Sequence, residues 1–343
     1  MKLLIMTQKV DNTDPILGFF HQWIMQFAQQ CNPGFVTVIG QFVGEHLLLA
    51  NTKVESLEKE KGRGKFSQIC LFWKLQWKLR KEYDVVLVHM TPIWIVLGAP
   101  LWLLLRKPMY LWYEARGTRW PLCVALLLVR KVFSASSHGM PLRTHKSVVV
   151  GHGIDTDFFS PGTEPRNEKS LITVGRITAS KHLDVILRAF RELPKDYTLI
   201  LAGAPITATD RTLEQDLHTQ ITTEGFEGRV SIRSANQETV RDLLQKATVF
   251  VHASETSLDK AVLEAMATGC LVVSTSEAVQ PLLSPACSAT AETLGARIQE
   301  FCELDAGERK AIASGFREQV KRDHSLQRLV ERLLEEMEYS FAR

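Results

Sequence analysis

One short stretch of the chain combines a single carboxylate with an otherwise apolar helical pattern. Residues 252–269 read His-Ala-Ser-Glu-Thr-Ser-Leu-Asp-Lys-Ala-Val-Leu-Glu-Ala-Met-Ala-Thr-Gly, between the β-branched runs Thr248–Val251 and Leu271–Ser274. This order predicts a strand, a polar loop, a helix over Lys260–Thr268 and another strand. A lone acid such as Glu264 on a buried helix costs free energy unless a polar group meets it. A pair of ligand hydroxyls or a neighbouring loop would serve as that partner.

A second candidate segment is Val174-Gly-Arg-Ile-Thr-Ala-Ser-Lys-His182, which joins a predicted strand to a helix predicted over Lys181–Leu193. Gly175 allows another backbone to approach closely. Arg176 and Lys181 are cations of the kind that stabilise a growing anionic charge. A Gly-Arg followed by a Lys is common, and a solvated surface charge is the alternative explanation. Together with Glu264, the segment indicates a binding site.

These two segments resemble the nucleotide-sugar signature of the retaining glycosyltransferases of family four, which have the GT-B fold. The resemblance implies that Arg176 and Lys181 bind the donor diphosphate, and that Glu264, followed by Ala-Met-Ala-Thr-Gly, holds the ribose hydroxyls. In the family, another Glu, which meets the donor sugar, stands in the loop eight residues before the ribose-binding Glu. Thr256 stands there, and the nearest acid is Glu255, to which we assign the donor-sugar role.

The rest of the expected donor site also follows from the resemblance. The loop Ser254–Lys260 is similar to a sub-pattern of the family that carries Ser-Leu-Asp-Lys. The main chain after Thr256, at Ser257 and Leu258, is expected to meet the phosphate or the sugar. Gly203 ends a second strand and would lie beside the nucleotide. Such enzymes stabilise the diphosphate with Arg, Lys and helix N-termini, so no metal is expected.

In the first half of the chain, several residues are candidates for acceptor contacts or catalysis. Gly18 and His21 follow the first strand, where relatives have a glycine-rich turn, although a packed His21 without a role is the more common case. His89 closes the strand Asp84–His89 at the edge where α/β sheets present residues to ligands. It would orient the sugar or relay a proton, and a buried, hydrogen-bonded His with no role is an equal alternative.

The next strand departs from the family pattern. Relatives commonly carry a His soon after it, and Ala115 occupies that position, between Glu114 and Arg116. Either Glu114 or Arg116 has taken over contacts to the acceptor, or catalytic function is altered.

The composition favours a globular protein of two domains. The chain has 343 residues, 45% hydrophobic and 23% charged, which exceeds the usual size of a single core. Six cysteines without paired spacing indicate neither zinc nor a disulfide framework, and Cys123 and Cys270 are predicted to be buried. The turn-rich segment 151–162 resembles the interdomain connection of the family. It contains Asp155-Thr-Asp157, which has the form of a metal-binding Asp-x-Asp motif, but its place in this connection accounts for it without a metal.

Alternating strands and helices predict parallel sheets with crossover helices in both halves. Together with the resemblance to family four, this pattern implies an α/β GT-B fold with two Rossmann-like domains facing a cleft. Residues 1–152 would bind the acceptor and residues 153–324 the nucleotide sugar. Residues 325–343 would form an amphipathic helix that crosses back to the first domain.

The charge is divided unevenly along the chain. Residues 1–150 hold 19 Lys/Arg and 9 Asp/Glu, and the remainder holds 22 and 29, so a net +10 and −7 sum to the overall +3. Residues 59–81 are basic and interleave Trp, Phe and Leu with Lys and Arg. Such a helix suits an anionic membrane surface. A helix packed on the core with a solvated basic face explains the pattern equally well. Without a recognised module, we expect no nucleic acid partner.

The sequence therefore predicts a cytoplasmic retaining glycosyltransferase, peripheral on the inner face of the plasma membrane if 59–81 binds lipid. Its substrates would be a nucleotide-sugar donor, UDP- or GDP-linked, and a glycan or lipid-linked acceptor. Thr256 and Ala115 motivate an alternative, a degenerate protein that binds a nucleotide sugar without transferring it. A nucleotide-sugar epimerase is a third possibility, which usually needs more acids and histidines around the sugar than are found here.

Overall fold

The chain divides into two units, each built on a parallel sheet. The computed structural model describes residues 1–14, 17–31, 33–115, 117–255 and 258–341. The first unit comprises Met1–Gly153 together with the residues from Leu326 onward, and the second unit comprises Ile154–Ser325. The predicted α/β class with two Rossmann-like domains is confirmed.

The sheet of the first unit has seven parallel strands in the order β3-β2-β1-β4-β5-β6-β7. They are β1 (Lys2–Val10), β2 (Phe35–Val43), β3 (Thr52–Ser56), β4 (Val85–His89), β5 (Met109–Trp112), β6 (Lys131–Ser134) and β7 (Ser147–Val149). Alternate side chains of a strand point to opposite faces. In β1, Leu3 and Ile5 therefore enter one apolar layer, and Leu4 and Met6 enter the other.

Helices cover both faces of this sheet. They are α1 (Phe19–Gln30), α2 (Lys65–Leu79), α3 (Ile93–Leu104) and α4 (Trp120–Leu128). Helix α1 packs in the layer of Leu3 and Ile5, whereas α2, α3 and α4 share the layer of Leu4 and Met6. None of the helices in the described ranges has the length and apolar character needed to cross a membrane.

The second unit has a five-stranded parallel sheet in the order β10-β9-β8-β11-β12. The strands are β8 (Asn167–Val174), β9 (Thr198–Ala202), β10 (Val230–Arg233), β11 (Ala247–His252) and β12 (Leu271–Ser274). The helices are α5 (Leu183–Arg191), α6 (Ala208–Thr223), α7 (Gln237–Lys246), α8 (Lys260–Ala267), α9 (Leu294–Glu303) and α10 (Ala306–His324). Strands β8 and β11 lie at the centre, so the segments after them emerge side by side.

The last helix, α11 (Leu326–Phe341), belongs to the first unit. Its leucine stripe, including Leu329 and Leu333, packs in the same layer as α1. The Tyr110 hydroxyl donates a hydrogen bond to the Met337 carbonyl at 3.2 Å. This attachment uses the amphipathic pattern that the sequence shows from Leu326 onward.

Three local differences from the sequence-based prediction have clear causes. Strand β3 was not predicted, because Thr-Lys-Val-Glu-Ser contains one apolar residue and lies at the sheet edge. A helix was expected from Lys181, but α5 begins at Leu183, since His182 has a left-handed φ of 47°. Cys123 was expected to be buried, yet it is exposed on α4, while Cys270 is buried as predicted.

Candidate functional site

The carboxyl ends of β8 and β9 approach each other at two glycines. The Gly175 N–H donates to the Ala202 carbonyl at 3.0 Å, and the Gly203 N–H donates to the Arg233 carbonyl at 2.8 Å. A Cβ at position 203 would lie 1.7 Å from the Gly175 carbonyl oxygen, so no larger residue fits. The two predicted glycines are therefore neighbours at the sheet edge where α/β folds bind ligands.

Lys181 lies over the same place and is held by a chain of polar side chains. Its Cε would be 3.1 Å from a Cβ built at Gly175. Its ammonium lies 2.5 Å from Asp259 Oδ2, and the same oxygen lies 2.8 Å from His252 Nε2. His252 Nδ1 lies 2.9 Å from Ser274 Oγ. These hydrogen-bonded side chains connect the turn after β8 to the ends of β11 and β12.

Asp259 is ionised in this setting. Burial would raise the pKa of its carboxyl, but the hydrogen bond with His252 and the charge of Lys181 outweigh burial and hold that pKa well below its usual range. Asp259 is also the N-cap residue of α8, and its side chain makes no capping hydrogen bond. An Asp at an N-cap usually accepts a bond from the first helical turn; this one is turned toward Lys181 and His252 instead.

The loop after β11 is joined to the turn after β8 by two further contacts. The Glu255 N–H donates to the Ser180 carbonyl at 3.2 Å, and Glu255 Oε1 lies 3.3 Å from His182 Nε2. The Glu255 side chain is largely exposed, so its carboxylate can reach a ligand. Glu255 and Lys181, which are far apart in the sequence, are thus brought to one region.

Arg176 is exposed beside this region. No hydrogen bond to its side chain is found among the described residues, and its guanidinium is open to solvent. Backbone hydrogen bonds around Thr207 hold the pKa of Asp210 below its usual range, and the charge of Arg176 contributes to this. Arg176 therefore lies near the start of α6. Together with Gly175, Lys181 and Gly203, it lines one small depression.

Glu264 has a partner within its own helix. Its Oε1 lies 3.5 Å from Lys260 Nζ, one turn earlier in α8. Burial raises the pKa of the Glu264 carboxyl, and the charge of Lys260 opposes that rise. The lone-acid argument from the sequence overlooked Lys260, which relieves part of the cost of burying this carboxylate. A role for Glu264 with ribose hydroxyls stays a prediction.

Three predicted residues, Arg116, Thr256 and Ser257, lie outside the described residues. Leu258 is described, and its side chain packs in the core of the second unit. Only the main chain of Leu258 is then available to a ligand, as the prediction for this loop assumed.

His89 is almost completely buried in the first unit. Its ring stacks on Phe20 with centroids 4.0 Å apart, and its Nδ1 lies 3.4 Å from Thr7 Oγ1. Burial lowers the pKa of His89 to about 3, with a smaller contribution from His152. The imidazole is therefore neutral at physiological pH and is better suited to orienting a group than to carrying a proton. The residue after it, Met90, has a left-handed φ of 61°.

The other acceptor-side candidates already make contacts within the first unit. The Gly18 N–H donates to the Asp14 carbonyl at 2.9 Å, and His21 Nε2 accepts from the Leu47 N–H at 3.2 Å. The Glu114 carboxylate accepts from the Ala135 N–H at 2.6 Å. These contacts fix His21 and Glu114 in place within the first unit, and an acceptor role for either of them stays a prediction.

The sequence analysis missed Asp259, His252 and Lys260. The quoted Ser-Leu-Asp-Lys pattern contains two of these residues, and that pattern was the available signal. The contact between Asp259 and Lys181 spans 78 positions, which no local spacing reveals.

Comparison with known proteins supports the interpretation of the second unit. Residues 168–289 match the family described as glycosyl transferases group 1. This range contains both segments that carry the resemblance, and it covers about a third of the chain. Curated protein sequences gave no match.

Solved structures resemble the whole chain. Anabaena Alr3699/HepE in complex with UDP has a TM-score of 0.77 at 18% identity, over 99% of this chain and 100% of that chain. Sucrose-phosphate synthase from Thermosynechococcus elongatus has a TM-score of 0.76 at 15% identity, over 100% of both chains. The lipopolysaccharide outer core galactosyltransferase WaaB has a TM-score of 0.66 at 13% identity, over 96% of this chain and 97% of that chain. The two parallel-sheet units of this chain therefore form a GT-B fold.

Proposed function

We propose that this chain is a retaining, metal-independent glycosyltransferase. It would move a sugar from a UDP- or GDP-linked donor to a glycan or lipid-linked acceptor, in the synthesis of cell-surface polysaccharide or glycolipid. The match of residues 168–289 to glycosyl transferases group 1 supports the reaction class. The complexes of Anabaena Alr3699/HepE with UDP and with UDP-glucose favour a uridine nucleotide.

The observation that carries the proposal is the position of Lys181. Its ammonium has three N–H donors, and Asp259 occupies one side of it at 2.5 Å. The remaining donors are left for a ligand above Gly175, at the edge that also presents exposed Arg176. Two cations held above a pair of closely packed glycines form a cradle for a diphosphate, because glycines let the phosphates approach the main chain.

The proposed reaction places the remaining residues around that diphosphate. Glu264 accepts hydrogen bonds from the ribose hydroxyls, and Glu255 or the main chain of 256–258 contacts the sugar. The bond between the sugar C1 and the donor phosphate oxygen breaks, and a bond to the acceptor oxygen forms on the same face. The acceptor proton passes to the leaving phosphate oxygen. Arg176 and Lys181 stabilise the charge that grows there, which requires neither a separate strong base nor a metal ion.

The second candidate function is nucleotide-sugar binding without transfer. Thr256 in place of the expected donor-sugar Glu favours it. The presence of Arg176, Lys181 and Glu264 favours transfer, since a decayed site would be expected to lose its donor-binding groups as well.

Titration calorimetry with UDP, GDP and ADP, each without and with Mg²⁺, tests the proposal. We expect one nucleotide to bind without metal, and its sugar donor to be hydrolysed slowly when no acceptor is present. Arg176→Ala should weaken that binding by about ten- to a hundredfold, because a charge-assisted contact contributes about 1.5–3 kcal/mol.

Arg188→Ala is the matched control. Arg188 is an exposed arginine of the same unit that forms a surface ion pair with Asp184, at 3.2 Å, and a pair of this kind contributes little. Binding without hydrolysis or transfer from any donor would identify the chain as a degenerate binder. The absence of nucleotide binding would refute both functions.

A further inference from the structure

Two helices of the first unit contain no charged or hydroxyl side chain. Helix α3 reads Ile-Trp-Ile-Val-Leu-Gly-Ala-Pro-Leu-Trp-Leu-Leu, and α4 reads Trp-Pro-Leu-Cys-Val-Ala-Leu-Leu-Leu. A surface helix normally carries polar residues on its outer face, and a helix that is apolar all round is normally covered on every side. Helices α3 and α4 pack on the sheet and, laterally, on each other, with α2 beside α3, and no other described residues cover their outer faces.

The outer faces of α3 and α4 are open to solvent. Leu104 is 75% exposed, Trp120 is 65% exposed and Leu127 is 79% exposed, and Leu103 and Cys123 are exposed beside them. Single exposed apolar residues are common on proteins, but a contiguous set marks an interaction site.

Helix α2 extends this apolar surface on the same side of the sheet. Phe66, Cys70, Trp73 and Trp77 recur at intervals of four, three and four residues, so they form one stripe along the helix. All four are exposed. The buried face of α2, which includes Phe72 and Leu79, enters the core layer that α3 and α4 also cover. We call the outer side of α2, α3 and α4 the three-helix face.

Cations surround the three-helix face. Between residues 65 and 128 there are nine Lys/Arg and three Asp/Glu. Two of these acids have partners within the unit, because Glu82 pairs with Lys53 at 2.8 Å and Glu114 accepts from the Ala135 main chain. Lys74 and Lys81 are exposed on α2 and its end, and Arg106, Arg119 and Arg130 lie just beyond the ends of α3 and α4.

We propose that the three-helix face docks on an anionic lipid bilayer and inserts its leucine and tryptophan side chains among the acyl chains. Helix α3 has 12 residues and is about 18 Å long, shorter than the ~30 Å hydrocarbon core, so it would lie in the interface. Apolar insertion bordered by cations is the pattern of proteins that lie on a membrane, and Trp favours the headgroup level. The sequence-based expectation concerned residues 59–81 alone; the face adds α3 and α4.

A second copy of the chain is a less suitable occupant. A symmetric dimer through this face would bring the same cations of both copies together, whereas anionic headgroups neutralise them. The inference is independent of the proposed sugar transfer, because it concerns the outer surface of the first unit and needs no nucleotide.

Co-sedimentation with vesicles tests the inference. The full chain should bind vesicles made of equal parts phosphatidylglycerol and phosphatidylcholine, and should bind pure phosphatidylcholine far more weakly. The variant L104E/L127E should lower the affinity for anionic vesicles at least about tenfold, since each leucine loses the benefit of apolar burial. The control is L47E: Leu47 is 80% exposed in the same unit, and its neighbours Leu48 and Leu49 pack in the opposite layer of the sheet.

A measurement on the unaltered protein avoids dependence on the folding of variants. Brominated phosphatidylglycerol should quench the emission of Trp73, Trp77 and Trp120, and an absence of quenching would overturn the inference. Equal loss of vesicle binding in L47E and L104E/L127E would overturn it too. The inference would also be overturned if L104E/L127E converted a dimer to a monomer and left vesicle binding unchanged, because a second copy would then cover the three-helix face. UDP titration of each variant keeps this result separate from any failure of the proposed reaction.

Discussion

The substitution Asp259→Asn tests whether the polar chain behind Lys181 stabilises the second unit. In the structure one carboxylate oxygen of Asp259 contacts both Lys181 Nζ, at 2.5 Å, and His252 Nε2, at 2.8 Å. Asparagine keeps the shape and one acceptor oxygen but removes the negative charge. Lys181 then keeps its charge in a place where it is 13% exposed and has lost its counter-ion.

The expected cost follows from these contacts. A hydrogen bond to a charged group contributes about 1.5–3 kcal/mol, and removing one member of a well-buried ion pair costs about 3–5 kcal/mol. Because the pair is partly open to water and the amide oxygen still accepts one bond, we expect a loss of about 2–3 kcal/mol at pH 7. The double variant with Lys181→Met should lose less than the sum of the two single losses, because neither group is then left without its partner.

The loss should also depend on pH. The folded-state pKa of Asp259 is held below its ordinary value of 3.8, so the contribution of its charge is complete above that value. It disappears as the pH falls from about 4 through the lower folded-state pKa. The difference between Asp259→Asn and the unaltered protein should therefore be on the order of 2–3 kcal/mol near pH 7 and should shrink below about pH 4.

Urea unfolding can assign the effect to one unit. All seven tryptophans precede residue 121, so tryptophan emission reports the first unit alone, while circular dichroism reports both units. Asp259→Asn should move the dichroism transition of the second unit and leave the emission transition unchanged. A variant as stable as the unaltered protein at pH 7, or an equal loss at every pH, would refute the role assigned to Asp259.

Three further outcomes are expected. Gly203→Ala should destabilise the second unit by about 1–3 kcal/mol or more in urea unfolding, because the new Cβ would lie 1.7 Å from the Gly175 carbonyl oxygen; an unchanged midpoint would contradict the close approach. Glu264→Ala should weaken UDP binding in calorimetry but leave binding of 2′,3′-dideoxy-UDP unchanged, and equal losses for both ligands would remove the ribose role. His89→Phe should make the first unit lose less stability as the pH falls below 6.5, since burial lowers the folded-state pKa of His89 to about 3; tryptophan emission would measure this, and the same pH dependence in both proteins would contradict it.

The sequence was sufficient for the architecture because the buried strands are short β-branched runs. Strand β12 (Leu271–Ser274) was predicted at the observed residues, and β4 (Val85–His89) was predicted one residue longer, over Asp84–His89. A parallel strand covered on both faces must be apolar throughout, and such a run is easy to recognise. Strand β3 has no such apolar run, because it lies at the edge of the sheet, where polar side chains are tolerated.

The sequence was less informative about the site. It identified Gly175, Lys181 and Gly203, which the structure brings together, but it did not identify what holds Lys181. His252 ends β11 and Asp259 follows it, and the contact of Asp259 with Lys181 depends on β8 and β11 being neighbours in the sheet. The partner of Glu264, by contrast, is Lys260 at the preceding turn, and helical spacing alone could have revealed it.

The ion pair between Lys181 and Asp259 has a consequence for which anions the site admits. Asp259 acts as an internal counter-ion that neutralises part of the charge of Lys181. An anion with a single charge would gain little binding free energy beside Lys181, because Asp259 already pairs with the ammonium and its carboxylate would repel the anion. In the proposed function, a diphosphate would bring more charge and would also meet Arg176, which would offset that repulsion. If the cradle binds a diphosphate as proposed, the Asp259 carboxylate would disfavour occupation of the cradle by abundant small anions.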